Sequence, residues 1–225
     1  PIDEPTPDTT RVPVAAPIRG EEETSEDERR PNVEAPISEN LLVLAPPGTG
    51  KTHFLIERLC HLISNSEITN PADEVLVLSF SRAAVAEVRR RVATKLAQNT
   101  GDNLRYVNVR TFDSFATQQL LLDMDHEDMV QRQQHLPGKN SFAQRMALCL
   151  GCLRDGTLEN AIAGIGKLRC LLVDEVQDLG GVRAELVLEV ARQVRDNGGG
   201  VCLLGDPAQA IYGDWSLGPG DINSV

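Results

Sequence analysis

From Leu41 onward, short unbroken apolar runs alternate with stretches whose apolar residues recur at helical spacing. Leu41 to Ala45 is such a run and opens into a glycine-rich turn, as a strand buried on both faces of a parallel sheet does. Lys51 to Ser64 predicts a helix with Phe54, Leu55, Leu59, Leu62 and Ile63 toward the core. Val75 to Phe80 predicts a second strand. Ala83 to Leu96 predicts a helix with Ala84, Val85, Val88, Val92 and Leu96 on one face. A third strand is expected over Arg105 to Val109, and a helix over Thr111 to Leu122. Residues 123 to 166 break the rhythm: they are polar, helical in patches such as Phe142 to Leu153, and read as a small helical insertion. The rhythm resumes with a strand at Leu168 to Asp174, a helix at Val182 to Arg195 and a strand at Val201 to Gly205. Five strands alternating with helices predict an α/β fold with a doubly wound parallel sheet.

Composition changes this picture at the front of the chain. Residues 1 to 36 hold ten acidic side chains, four arginines and seven prolines, with little apolar surface to offset the entropy of ordering. Residues 1–38 are therefore expected to form a disordered acidic, proline-rich arm, and 39–225 the folded domain. The arm carries much of the net charge of -11. An acidic total argues against wrapping nucleic acid by bulk charge and leaves room for a local groove lined by arginine. Five cysteines in 225 residues form no disulfide framework. No secretory signal or membrane-length apolar run occurs, so the chain is expected to be cytoplasmic. It begins at Pro1 without an initiator methionine and is expected to be a fragment.

Chemistry enters at Ala45-Pro46-Pro47-Gly48-Thr49-Gly50-Lys51-Thr52, which fits a phosphate-binding P-loop with alanine in place of the first glycine. Gly48 and Gly50 let the backbone curl its N–H groups inward, and the following helix adds its positive end. Lys51 is expected to reach the β and γ phosphates of a nucleotide, and Thr52 to ligate Mg2+. A second metal partner follows the strand Leu171-Leu172-Val173 as Asp174-Glu175, at the strand end where open α/β sheets bind ligands. Asp174 is expected to hold the metal through a water, and Glu175 to activate the attacking water.

The P-loop and four further motifs, one of them built around Asp174-Glu175, resemble the first RecA-like domain of superfamily 1 DNA helicases of the UvrD/Rep/PcrA type, from Leu41 to about Ser216. Val173-Asp174-Glu175-Val176-Gln177-Asp178 resembles that family's motif II, and Leu204-Gly205-Asp206-Pro207-Ala208-Gln209-Ala210-Ile211-Tyr212-Gly213 its motif III. The run Leu78 to Val88 resembles motif Ia, and Arg110 to Phe115 the next DNA-contacting motif. The resemblance implies a P-loop NTPase using ATP and Mg2+, in which Gln209 senses the γ phosphate and Gln177 links the hydrolysis site to DNA-binding loops. It also implies that Phe80, Thr111, Phe112, Tyr212 and Trp215 face single-stranded DNA or a single/double-strand junction. For Phe80 and Phe112 the alternative is an ordinary core aromatic.

The chain departs from the family in three places. No glutamine precedes Lys51, whereas the family's adenine-reading glutamine falls opposite Arg29 to Asn32. After Tyr212 the order is Gly213-Asp214-Trp215-Ser216, so either Trp215 stacks one place late or Asp214 replaces the family's aromatic. A second RecA-like domain, the partner that supplies arginine fingers, is expected to be absent from this chain. Loss of such arginines costs about 10³ to 10⁵ in rate in comparable phosphoryl transfer, so the fragment alone is expected to be nearly inactive. Cys149-x-x-Cys152 lacks a second ligand pair and reads as core thiols, while Arg89-Arg90-Arg91 with Lys95 reads as a solvated helix face. The leading expectation is a DNA-dependent ATPase and helicase; the alternative is a nucleotide-gated regulatory subunit that does not unwind.

Overall fold

The computed structural model describes residues 32–99, 107–135 and 141–206. Its elements run β1 (Leu41–Leu44), α1 (Lys51–Ser64), α2 (Pro71–Glu74), β2 (Val75–Ser79) and α3 (Arg82–Asn99). Then follow β3 (Asn108–Thr111), α4 (Phe112–Asp123), α5 (His126–Gln134), α6 (Ser141–Arg154) and α7 (Glu159–Ile165). The last are β4 (Cys170–Val173), a 3₁₀ turn (Val176–Asp178), α8 (Val182–Asp196) and β5 (Gly200–Gly205). The five strands form one sheet in the order β1-β5-β4-β2-β3, every pair parallel.

That order decides where the helices lie. From β1 to β2 to β3 the chain moves one way across the sheet; from β3 to β4 to β5 it moves back. Right-handed crossovers then place the two sets of helices on opposite faces. The strand pleat divides the side chains accordingly. Val75, Val77, Cys170, Leu172, Cys202 and Leu204 pack with Leu55, Leu59 and Leu62 of α1 and Val88, Val92 and Leu96 of α3. Leu76, Leu78, Leu171, Val173, Val201 and Leu203 pack with Phe115, Leu120, Met146, Cys149, Leu186 and Val190 on the other face. With both faces covered, β2, β4 and β5 had to read as unbroken apolar runs, and each fully buried Leu or Val contributes about 1.5–3 kcal/mol.

Three expectations change. The third strand is Asn108–Thr111 rather than 105 to 109, because its register pairs Leu76 with Asn108 and Ser79 with Thr111. Thr111 is consequently the N-cap of α4: its hydroxyl accepts from Ser114 N, while Ser114 Oγ accepts from Thr111 N. The stretch 123 to 166 is helical, yet Met146, Cys149, Leu158, Ala161 and Ile165 share one cluster with the β4 residues Leu171 and Val173. Its helices complete one face of the domain. Asp123 ties them in by accepting from Asn160 N (2.8 Å) and Ala161 N (2.9 Å) at the start of α7.

The arm's expected boundary at residue 38 falls too late. Ala35 and Ile37 are buried, and Arg58 of α1, itself 2% exposed, donates to the carbonyls of Val33 (2.9 Å), Ala35 and Pro36 (2.9 Å). Ile37 N also donates to Glu67 (2.9 Å). Residues 1–31 lie outside the described residues. Among the described residues no helix is long and apolar enough to cross a membrane, and all five cysteines are free and buried.

Candidate nucleotide and strand-end site

Each strand delivers its candidate residues at its C-terminal end. The P-loop follows β1, Phe80 follows β2, Phe112 follows β3, Asp174 and Glu175 follow β4, and Asp206 follows β5. Opposite crossovers on neighbouring strands leave a crevice at this edge, where ligands of open α/β sheets sit.

The loop after β1 is shaped for an anion. Ala45 has no positive φ, is buried, and its N–H donates to Gly205 O (3.0 Å), so a methyl group is tolerated at the first P-loop position. Gly48 (φ 77°) and Gly50 (φ 92°) adopt left-handed conformations that side chains disfavour. Thr49 Oγ1 donates to Pro46 O (2.6 Å) and closes the turn. Gly50 is the N-cap of α1 and offers no side-chain cap, and the first turn carries no acid, so the helix N–H groups remain for an incoming phosphate. Lys51 Nζ donates to Ala45 O (2.9 Å) and Pro46 O (3.3 Å) and lies 3.9 Å from Asp206 Oδ2.

Opposite the loop, Asp174 is 5% exposed and its backbone N–H extends the β4–β2 ladder to Leu78 O (3.0 Å). Its Oδ1 accepts from Glu175 N (3.0 Å). Burial, then the neighbouring Glu175 charge, raises the Asp174 carboxyl to about 6, while Lys51 draws it back down. A bound cation would relieve that cost. Glu175 itself has φ 57° and ψ 47°, a left-handed conformation that a non-glycine residue keeps at a cost. The strain turns the chain sharply out of β4 so that Gln177 reaches back. Gln177 Nε2 donates to Glu175 Oε2 (2.5 Å), and Gln177 Oε1 accepts from Asp206 N (2.9 Å). One amide thereby joins the ends of β4 and β5. Gly205 makes room for it: a Cβ there would meet Val176 Cγ2 at 2.8 Å and Gln177 Oε1 at 3.3 Å.

The donor set fits a nucleotide with Mg2+. A buried carboxylate at Asp174, a half-exposed Thr52 on the first turn of α1, and the Lys51 ammonium surround the open helix end. Among the described residues there is no cluster of three or more acidic, histidine or cysteine side chains able to hold a metal. Magnesium held by one or two protein oxygens plus phosphates needs none.

The strand-contact candidates divide. Phe80 is half-buried at the sheet edge, but Phe112 is 2% exposed and packs its ring against Phe80 at 4.8 Å between centroids. As the first residue of α4, Phe112 points back into the core, so the core alternative holds for it. Thr111 has committed its hydroxyl to the α4 cap. Gln209, Tyr212 and Trp215 lie outside the described residues. The basic run on α3 is occupied: Arg90 and Arg91 pair with Glu87, Lys95 with Glu57, and Arg89 donates to Val109 O. Sequence reasoning assigned no role to Asp206, fully buried beside Lys51, or to Arg183, whose guanidinium lies 5.6 Å from the Phe80 ring centroid. For Asp206 the available signal was a carboxylate just past a buried apolar strand; for Arg183 there was none.

A family model for the UvrD/REP helicase N-terminal domain matches residues 25–148 and 138–216. The chain belongs to that family. Similar curated proteins are the ATP-dependent helicase/nuclease subunits A of Clostridium beijerinckii (41% identical, 32% of this chain, 6% of the relative) and Thermoanaerobacter sp. strain X514 (36%, 38% and 8%). That of Clostridium botulinum is 44% identical over 26% of this chain and 5% of its own length. The chain therefore matches less than a tenth of the length of these relatives.

Proposed function

We propose that this chain is the ATP-binding half of a DNA-dependent ATPase and helicase, coupling ATP hydrolysis to movement along single-stranded DNA and to duplex unwinding. Family membership supports the coarse part, a helicase-type ATP-dependent function. The observation that carries the finer part is the Gln177 amide, which spans the ends of β4 and β5 and so connects Glu175 to Asp206 beside Lys51.

In this reading the nucleotide's phosphates meet the uncapped α1 N-terminus and the Lys51 ammonium, which exchanges the Ala45 and Pro46 carbonyls for phosphate oxygens. Mg2+, when bound, offsets phosphate charge and polarises the γ phosphoryl group. Asp174 and Thr52 would hold it. Glu175 orients and deprotonates the attacking water, and Gln177 fixes the carboxylate in place. A γ-phosphate contact at Gln209 and strand contacts at Phe80, Tyr212 and Trp215 belong to the same proposal. A second RecA-like domain of the parent protein would supply the remaining transition-state charge. ATP turnover by the full-length protein, with and without single-stranded DNA and with Lys51→Ala as blank, is the test. Strong stimulation by DNA that disappears in Lys51→Ala is expected. ATP binding with slow, DNA-indifferent turnover would refute the motor and leave a nucleotide-gated switch.

A further inference from the structure

Arg183 stands where helix stability does not call for it. It is the second residue of α8, whose N-terminal N–H groups make a cation unfavourable, and the N-cap, Gly181, has no side chain to help. Glu185, the acid of that first turn, is engaged by Arg154 (3.0 Å). No salt bridge joins Arg183 to a described carboxylate. Its guanidinium instead lies over the Phe80 ring, 5.6 Å from the centroid, at the sheet edge just past β2. A second pair of this kind differs where it matters. Arg145 lies 5.3 Å from the Phe142 centroid, but its Nε and Nη2 both donate to Asp113 Oδ1, at 3.1 and 3.0 Å, which neutralises it. Of the two, only Arg183 retains its charge for a ligand.

We infer that Arg183 adds a phosphate contact to the single-stranded DNA site already proposed at Phe80, so that the two residues hold one nucleotide. A base stacks on the Phe80 ring while the guanidinium leaves the ring for the adjoining phosphate. The exchange is favourable because a charge-assisted hydrogen bond to phosphate is stronger than a cation–aromatic contact in a half-exposed site. Placement on α8 matters as well: that helix begins four residues after the Gln177 turn, so a strand held at Arg183 bears on the segment that positions Glu175. The inference rests on the DNA-binding reading above and adds a residue to it.

The test is binding of a labelled oligothymidylate by fluorescence anisotropy across a salt series. For single strands each phosphate contact contributes about 0.7 to the slope of log affinity against log salt. Arg183→Met should lower the slope by about that amount and weaken binding by about fivefold at 0.1 M salt. Arg183→Lys should keep the slope. Both variants should melt close to the wild type, because the cation–aromatic contact and the helix-end repulsion are similarly small and oppose one another. If the wild type fails to bind the oligonucleotide, the DNA reading falls and this subsite with it. If the wild type binds and Arg183→Met retains its affinity and slope, or loses affinity at constant slope, the subsite alone is refuted.

Discussion

Replacing Gln177 by methionine separates stability from chemistry at the junction of β4 and β5. Methionine keeps the length and volume of the side chain and removes both ends of the amide. The Asp206 N–H, donated to Gln177 Oε1 at 2.9 Å within a residue that is 0% exposed, would lose that acceptor. Leaving such a buried donor without a partner costs about 1–3 kcal/mol. The second lost bond, from Gln177 Nε2 to Glu175, lies at a partly exposed carboxylate that water can re-solvate, so its share is smaller. A total near 2 kcal/mol corresponds to a fall in melting temperature of about 4–8 °C for a domain of this size. The kinetic consequence differs. Glu175 remains but loses the bond that fixes its direction, so kcat should fall roughly tenfold to a hundredfold, a part of the roughly 10² to 10⁴ that a general base contributes. Nucleotide affinity, set by Lys51 and the α1 terminus, should stay within about twofold. Differential scanning fluorimetry with nucleotide titration, and turnover of the full-length variant, read these quantities. A variant that melts with the wild type and turns over normally would refute the bridge. An equal loss in affinity and turnover would refute its division of labour.

Three further outcomes follow from the geometry. Gly50→Ala places a side chain at φ 92°, a strain of about 1–2 kcal/mol in the loop that must hold phosphate; nucleotide affinity measured calorimetrically should fall at least fivefold. Arg58→Met strands three carbonyls of residues 33–36, so limited proteolysis before β1 should accelerate and the melting temperature should drop; an unchanged cleavage pattern would disprove the clamp. The Cys149, Cys170 and Cys202 thiols are each pushed up to about 12, chiefly by burial. Below about pH 7.5 they are protonated folded and unfolded and contribute nothing to the pH dependence. Above it the unfolded chain releases protons that the folded one keeps, so stability should fall by up to about 1.4 kcal/mol per pH unit per thiol until about pH 12. Denaturant titrations between pH 8 and 10.5 would show it, and a native protein that reacts readily with a thiol reagent at pH 8 would contradict the burial.

Four of the five strands were legible as apolar runs, because cover on both sheet faces forces residues such as Val75 to Leu78 to be apolar without interruption. β3, with Asn108, Arg110 and Thr111, is not such a run, and only its register with β2 fixes its bounds. The P-loop and the acidic pair were legible for a related reason. Phosphate binding is backbone chemistry, which fixes glycines at set intervals, and the strand ends are read directly from where the apolar runs stop. Tertiary structure alone decided what depends on residues far apart in the chain. Phe112 resembles a stacking residue by position, but the β2–β3 register makes Thr111 the cap and turns the ring inward. Residues 123 to 166 looked like an insertion because their apolar positions are diluted among polar ones; only the crossover direction shows that α6 and α7 must close a face of the sheet. Arg58 and Arg183 sit among ordinary helical charges in the sequence. One proves to hold the segment before β1, and the other to lie over Phe80, because packing helices on opposite faces brings those partners to them. Periodicity records which side of an element is buried. It does not record what another element places against that side.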